Sequence, residues 1–381
     1  MINVIIYIGI FMALFLSLLV LVKKSRVIHD YILVVWLVFN GANLFFFYYN
    51  FSKATIEVSY FELAGALIPF ITAPLLYIYV SALVKASLFR MYRYLYHFIP
   101  FVIMLSSVIY FFDFAGEEYS INVSRGFIQQ RGAMPFHIRY YGLILASSGF
   151  LYPMLSLWLL VKHRARVENE FSNIEKINLN WLRYWIIISI TGFWVSFIII
   201  WVAQYDWVDY LTSFQTVATQ LTLNIVIIGF YGLRQTTIFS NASYPTQIAE
   251  HAFEEKRDKG TPTSKRESSE VLIKIKQYMD REKPYLNSQL NIELLASELH
   301  LTKHELSKVI NDQLGVNFFN FINGYRVTEV KKRIADEEYH HLTLLGIALE
   351  TGFNSKSSFN HIFKKFEGIT PSEFKRQLDH K

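Results

Sequence analysis

The sequence predicts an all-α protein in two parts, a seven-transmembrane helix bundle followed by a soluble domain built of two helix-turn-helix units. Three observations carry this reading. Charge is unevenly spread, with 26 Asp, Glu, Lys and Arg residues in positions 1–233 and 42 in the remaining 148. The first part holds seven apolar runs, near 2–22, 31–50, 61–84, 94–112, 138–161, 182–205 and 211–233, each close to the roughly 20 residues that a helix needs to cross a hydrocarbon core. The last part repeats itself: Ala296, Leu301, Leu306, Ile310 and Gly315 are matched by Ala348, Phe353, Phe359, Phe363 and Gly368, at an offset of 52 residues that becomes 53 after the turn.

A bilayer interior admits helices and closed barrels, and these continuous runs lack the alternation of barrel strands. The first run is expected to be retained, not cleaved as a secretory signal, because Lys23, Lys24 and Arg26 follow it and no small-residue cleavage site does. Basic residues then assign the sides. Lys85, Arg90 and Arg93 follow span three, Lys162, Arg164, Arg166 and Lys176 follow span five, and Arg234 follows span seven. Together with the cluster after span one, they belong in the cytoplasm. The other side holds Lys53, Arg125 and Arg131 among Glu57, Asp113, Glu117, Glu118, Asp206 and Asp209. An odd number of spans puts the N-terminus outside and the C-terminal domain inside. The expected location is a bacterial cytoplasmic (inner) membrane, crossed many times.

Polar residues within the spans are the places to look for a signal. Thr212, Thr216, Gln220 and Asn224 recur every four residues in span seven, which aligns them on one helix face as a candidate ligand pocket. The competing reading is ordinary hydrogen bonding between neighbouring helices. Asn40 and Asn43 in span two carry the same ambiguity. Pro69 and Pro74 are expected to kink span three. Glu62 reads as the one acid close to the apolar zone, and His97 as an interfacial residue. Span seven has no lysine for a retinal Schiff base, and the chain has no cysteine, so thiol redox sensing and thiolate metal sites are excluded. No cofactor or metal is expected. The loop Asp113–His137 is the longest expected outside segment.

The chain divides on this reading into a membrane sensor module (1–233), a flexible cytoplasmic linker (234–270) and a C-terminal domain (271–381). Gly260-Thr261-Pro262-Thr263-Ser264 marks the linker's centre, and Pro245–Lys259 is a candidate short helix that could pair two chains as a homodimer. In the C-terminal domain a short helix, a tight turn at His300 or Gly352, and a second helix from Thr302 or Ser355 form each helix-turn-helix, the arrangement that places its second helix in a major groove of double-stranded DNA. Thr302-Lys303-His304-Glu305 and Thr370-Pro371-Ser372-Glu373 fit capping boxes, and Ser355 is a cap candidate. Between the units a helix over Asn317–Ala335 spans about 28 Å, close to the roughly 34 Å of one DNA turn. Leu306, Ile310, Phe359 and Phe363 repeat as a buried stripe. That leaves His304, Ser307, Lys308 and Asn311 on the first helix, and Lys356, Ser357, Asn360, His361 and Lys364 on the second, to face the duplex. Lys suits guanine O6 and N7, Asn suits adenine, and a solvated helix face is the alternative for each. Lys365 fits that alternative better. The surplus of basic residues from Arg234 onward is only 2, so binding must come from a local face, with Lys331, Lys332 and Arg333 adding to it.

Gly352 to Phe374, together with Phe318-Phe319-Asn320-Phe321-Ile322-Asn323-Gly324-Tyr325-Arg326-Val327, resembles the signature of the AraC/XylS family of transcription regulators over residues 271–378. The resemblance implies a seven-helix DNA-binding domain with recognition helices Thr302–Gln313 and Ser355–Phe366. Members of that family usually carry a soluble sensor before this domain; here an apolar module stands in its place, so their effector chemistry does not carry over. The leading expectation is a membrane-embedded one-component transcription regulator that is not an enzyme. It would bind promoter DNA sequence-specifically in answer to a small-molecule, lipid or envelope signal. The alternative is a membrane transporter or enzyme whose turnover is reported by the attached DNA-binding domain. A histidine kinase is set aside, since no phosphate-cradling glycine loop follows span seven.

Overall fold

The structure, a computed structural model, describes residues 2–24, 26–52, 55–57, 60–85, 89–114, 120–124, 127–131, 141–175, 177–203, 210–240 and 265–379. The chain divides into two compact units, Met1–Leu160 with Asn180–Phe253, and Val161–Leu179 with Glu254–Lys381. The linker core Gly260–Ser264 and the candidate helix Pro245–Lys259 lie outside the described residues, as does most of the loop between Asp113 and His137.

The first unit is built from α1 (Ile2–Val22), α2 (Ile28–Ser52), α3 (Tyr60–Leu67), α4 (Pro69–Lys85), α5 (Ile99–Phe114), α6 (Tyr141–Glu170), whose last turns belong to the second unit, α7 (Asn180–Ala203) and α8 (Tyr210–Ser240). Six segments are long and apolar enough to cross a membrane: Asn3–Val22, Ile28–Tyr49, Ala64–Lys85, Tyr141–Glu170, Asn180–Ile199 and Thr212–Arg234. Their surfaces fit that solvent. On α1, Phe11 is 63% and Val22 72% exposed while Ile6 and Ala13 on the opposite side are fully buried; a water-soluble helix would bury the large apolar side and expose polar residues. The segment Ala64–Lys85 is the central rod, the most deeply buried of the six. α1 packs on α2 and α8, α2 on α4 and α8, and α7 on α8. Gly9 allows the close approach of α1, because a Cβ there would overlap Leu44 and Thr222.

Three expectations change. The fourth apolar run, 94–112, divides into a 3-10 helix, Met91–Phe98, and the 16-residue α5. Pro100, in the first turn of α5, fixes φ and brings no N–H, which separates the two pieces. At about 1.5 Å per residue α5 alone reaches about 24 Å, short of the roughly 30 Å core. The fold is also not purely helical: β1 (Thr55–Glu57), β2 (Ser120–Ser124) and β3 (Phe127–Arg131) form a small antiparallel sheet in the order β1-β2-β3, with Ile56 opposite Val123 and Ile121 opposite Gln130. Ser-Ile-Asn-Val-Ser alternates with period two, the pattern of a strand, in a stretch too short to declare itself among helices. Finally, Glu62 falls in α3, where its side chain is outside the described positions; among the described residues Asp30 also lies beside the apolar zone. It is 1% exposed, accepts from the Val27 backbone N–H at 2.9 Å and pairs with Lys23 at 3.2 Å. Pro69 begins α4, so span three breaks at Ile68, while Pro74 sits inside a continuous helix.

The second unit contains, among the described residues, seven α-helices after α8: α9 (Lys265–Glu282), α10 (Ile292–Glu298), α11 (Lys303–Leu314), α12 (Phe318–Ala335), α13 (Leu344–Glu350), α14 (Lys356–Glu367) and α15 (Pro371–Asp379). α10–α11 and α13–α14 are the two helix-turn-helix units. Each has its own core. Ile275, Leu295, Leu306 and Ile310 form the first, with Phe318, Phe321 and Ile322 of α12. Ile347, Phe353, Phe359 and Phe363 form the second, with Phe319, Val327, Val330 and Ile334 of the same helix. One 18-residue helix therefore supplies a wall to both cores, which makes it a spacer that cannot hinge without unpacking one of them. Phe363 is fully buried and stacks edge-on against both Phe359 and Phe374. Phe363→Ala is expected to destabilise the second core by about 3–5 kcal/mol, read as a lowered urea midpoint for loss of Trp-independent far-UV helix signal in the detergent-solubilised chain.

Candidate nucleic-acid interface

The ends of the reading helices are fixed by short-range chemistry. At α11, Thr302 accepts from the Glu305 N–H at 3.1 Å and Glu305 accepts from the Thr302 N–H at 2.9 Å, a complete capping box. At α14, Ser355 accepts from the Ser358 N–H at 3.1 Å. α15 has the same reciprocal pair, Thr370 and Glu373. Gly315 and Gly368 close α11 and α14 with φ of +67° and +77°, the left-handed cap that glycine tolerates best. The turns inside the two units are made differently. His300 takes φ +56° in the first. In the second, Gly352 takes φ +93°, and a Cβ there would lie 2.5 Å from the Tyr285 carbonyl oxygen, so only glycine fits.

These caps set the rotation of each helix. Leu306, Val309 and Ile310 on α11, and Phe359, Ile362 and Phe363 on α14, face the cores. His304 and Asn311 are exposed on α11, with Ser307 and Lys308 half-buried; Ser307 accepts from the Asn311 amide at 3.3 Å. Lys356, Ser357, Asn360, His361 and Lys364 are all exposed on α14. Basic residues outside this face are differently employed. Lys331 pairs with Glu367 at 2.7 Å, and Arg333 with Glu329 at 3.1 Å and Glu350 at 3.0 Å. Lys365 donates to Asn320 at 2.8 Å. Two of the three basic residues in the run Lys331-Lys332-Arg333 are thus spent on holding the domain together, and the side chains at the start of α14 are left as the polar face.

A second concavity lies in the first unit, a cavity of about 410 Å³ whose lining includes Asn40, Asn43, Trp185, Ser189, Gln220 and Asn224. The polar stripe of span seven is split by it. Gln220 and Asn224 line the cavity and bond α7, Gln220 to the Ser196 hydroxyl and Asn224 to the Ser189 hydroxyl at 2.7 Å. Thr212 and Thr216 are not part of the lining, and the Thr216 hydroxyl donates to the Thr212 carbonyl of its own helix at 2.9 Å. Asn40 and Asn43 join from α2. Among the described lining residues none is Asp, Glu, Lys, Arg or His.

The C-terminal sequence has counterparts in known proteins. Residues 295–377 match the family model described as a helix-turn-helix domain. Similar proteins include an uncharacterized HTH-type transcriptional regulator of Staphylococcus aureus (strain COL), 31% identical over 102 residues, or 27% of this chain and 13% of the relative. The HTH-type regulator YtdP of Bacillus subtilis (strain 168) is 28% identical over 90 residues, 24% of this chain and 11% of that one. The probable transcription factor PqrA of Proteus vulgaris is 28% identical over 89 residues, 23% of this chain and 70% of PqrA. The chain thus spans about one-eighth of the length of the first relative, and these likenesses cover the C-terminal domain alone. No solved structure matches.

Within this helix-turn-helix domain, sequence reasoning missed Arg326. It is 1% exposed. Its Nε donates to the Tyr285 carbonyl at 2.8 Å and its Nη2 to the Asn287 carbonyl at 2.9 Å and the Ser172 hydroxyl at 3.0 Å. Its Nη1 reaches the Ser172 carbonyl at 3.3 Å and Asn323 Oδ1 at 3.4 Å. Burial lowers its pKa to about 10, which leaves it charged at neutral pH. An arginine in an amphipathic helix gives no sequence signal of burial; only the register of Ile322, Val330 and Ile334 around it hints at an inward face.

The caps make a pH-dependent contribution. Hydrogen bonds from Thr302 lower the Glu305 pKa below the ordinary 4.5. A lowered folded-state pKa gives stability that is complete above the unfolded value and is lost as pH falls through the folded one. Glu305→Ala is therefore expected to lower the melting temperature of the C-terminal transition at pH 7, and the gap from the parent should shrink as melts are repeated from pH 5 down to pH 3.

Proposed function

We propose that the chain is a membrane-embedded one-component transcription regulator that binds promoter DNA sequence-specifically through α11 and α14. The observation that carries the reading is the pair of matched helix-turn-helix units on one rigid spacer. α12 has 18 residues, about 27 Å at 1.5 Å per residue, near the 34 Å that separates successive major grooves on one face of a duplex. His304, Ser307, Lys308 and Asn311 read the first groove; Lys356, Ser357, Asn360 and His361 read the second, with Lys364 on the phosphates.

The membrane part then has seven spans, with the 3-10 helix Met91–Phe98 completing α5 as the fourth. Only that count keeps Lys85, Arg90 and Arg93 on the same side as Lys162, Arg164 and Arg166. A second argument supports the topology: residues 161–179 belong to the same compact unit as the C-terminal domain, and two candidate spans, α7 and α8, lie between them, an even number of crossings. The signal enters at the cavity beside Asn40, Asn43, Gln220 and Asn224. Its uncharged amide and hydroxyl groups in a mostly aromatic and aliphatic wall suit a neutral, largely apolar molecule with a few hydrogen-bonding groups.

Duplexes enriched from a random pool by the full chain in lipid nanodiscs should share a two-part sequence about one helical turn apart, and affinity should fall steeply with salt. Enrichment of no common sequence would sink the reading. Asn360→Ala and Lys356→Ala should each cost about 1–3 kcal/mol and relax the preference at one base position in the second half-site. Gln220→Leu should leave that affinity unchanged while lowering the response of a chromosomal reporter to membrane extracts.

A further inference from the structure

Residues 161–179, the last turns of α6 and the link to α7, are part of the C-terminal unit and contact both helix-turn-helix motifs. Phe171 forms an antiparallel bridge with Asn291, just before α10. The Ser172 N–H and hydroxyl both donate to the Leu290 carbonyl, at 3.3 and 2.5 Å. The Ser172 carbonyl in turn accepts from Asn323 at 3.1 Å and from Arg326. Ser172 is 1% exposed and Phe171 5%. Ile174 packs on the second core. This is a built socket that engages main chain and side chain alike.

Three carboxylates project from the segment, and each ends at the N-terminal end of a different helix. Glu168 accepts from the Asn317 amide at the cap of α12, at 3.1 Å. Glu170 pairs with Lys303, the first residue of α11, at 3.0 Å. Glu175 accepts from the hydroxyl of Ser355, the cap of α14, at 2.6 Å. Recognition helices enter the major groove by their N-terminal residues, and helix N-termini with their Lys and Ser side chains are donors for backbone phosphates. Lys303 and Ser355 stand immediately before His304 and Lys356, the first expected readers of the two helices. The carboxylates of Glu170 and Glu175 thus hold the donors that phosphates of a bound duplex would use, and add negative charge where the duplex would arrive.

We propose that the segment Glu168–Glu175 is an autoinhibitory strap that competes with DNA for the N-terminal ends of both reading helices. The docked strap is the closed state, and release of the strap opens both units together. The strap continues directly from α6, an unbroken helix from Tyr141 to Glu170, so a displacement of α6 arrives at Phe171 by a short covalent route that does not involve residues 241–264. This inference rests on the promoter-binding reading above.

The test uses the full chain in nanodiscs and a duplex enriched by it from a random pool. The chain has no cysteine of its own, so Phe171→Cys/Asn291→Cys places one thiol pair at directly opposed bridge positions, where Cβ atoms stand about 4.5–5.5 Å apart and a disulfide is within reach. The pair should oxidise readily, and the oxidised protein should bind the duplex at least about tenfold more weakly than the same protein reduced. Glu170→Gln/Glu175→Gln, which keeps shape and removes charge, should tighten binding several-fold. Failure to form the disulfide overturns docking of the strap. A disulfide that forms without weakening binding, or a double Gln variant that binds no better, overturns the competition while leaving promoter binding intact. A reduced protein that forms the disulfide on oxidation yet enriches no duplex overturns the promoter-binding reading, and with it the strap's role.

Discussion

A guanidinium carries five N–H donors and keeps its charge at neutral pH, so burying one commits everything around it to supplying acceptors. Arg326 meets that demand from four residues in three stretches of chain: the carbonyls of Tyr285 and Asn287 before the first helix-turn-helix, Asn323 on its own helix, and the carbonyl and hydroxyl of Ser172. Gly352, in the turn of the second helix-turn-helix, lies against the same group, 2.8 Å from Arg326 Nε to where its Cβ would be. No carboxylate is among these partners; carbonyl dipoles solvate the cation. The arrangement ties the entry to the first motif, the spacer helix and the turn of the second motif to one point, and the register of the two reading helices follows from it.

The shared helix explains why one point suffices. α12 gives Phe318, Phe321 and Ile322 to one core and Phe319, Val327 and Val330 to the other, so its two ends are fixed by packing and its middle by Arg326. Ion pairs at the rim, Lys331 with Glu367 and Arg333 with Glu329 and Glu350, add little energy individually, but they remove basic residues from the surface. What is left for a polyanion is the face at the start of α11 and α14, which is how a domain with a basic surplus of only 2 can favour one duplex face over general polyanion binding.

The parts of this architecture that were legible in the sequence are those set by local chemistry. The capping boxes at Thr302 and Thr370, the cap at Ser355, the glycine ends at Gly315 and Gly368, and the buried stripe of Leu306, Ile310, Phe359 and Phe363 all depend on neighbours within one or two turns, and each lies where its spacing puts it. The long apolar helices were legible for the same reason. The fourth run was not, because mean hydropathy is blind to the missing N–H of Pro100 that divides it. Strands β2 and β3 were hidden by brevity. Arg326 and the strap were illegible in principle: the partner of Glu170 is 133 positions away at Lys303, and the partner of Glu175 is 180 positions away at Ser355. Read alone, Arg164 to Glu175 is a charged loop, and nothing in its pattern distinguishes a solvated loop from a docked one.

The two layers of strap contact differ in how readily they let go, and that difference sets what a signal must supply. Glu175 is exposed, and its contact with the Ser355 hydroxyl is worth at most about 1 kcal/mol; Glu170 is 9% exposed and pairs with a half-buried Lys303 at the edge of the socket. Ser172 is another matter, since lifting it away removes two acceptors from a buried guanidinium, and a buried donor left unmatched costs about 1–3 kcal/mol. Water can follow the departing strap and recover part of this. The closed state is then favoured by a few kcal/mol, which is the range of coupling that a ligand can deliver by binding one conformation better than another. A strap held by the glutamates alone would be open much of the time, whereas one held by several buried cations would never open. A single arginine with an otherwise complete shell, short by only the two acceptors of Ser172, places the proposed strap between those extremes, within the few kcal/mol that differential binding of a ligand can supply.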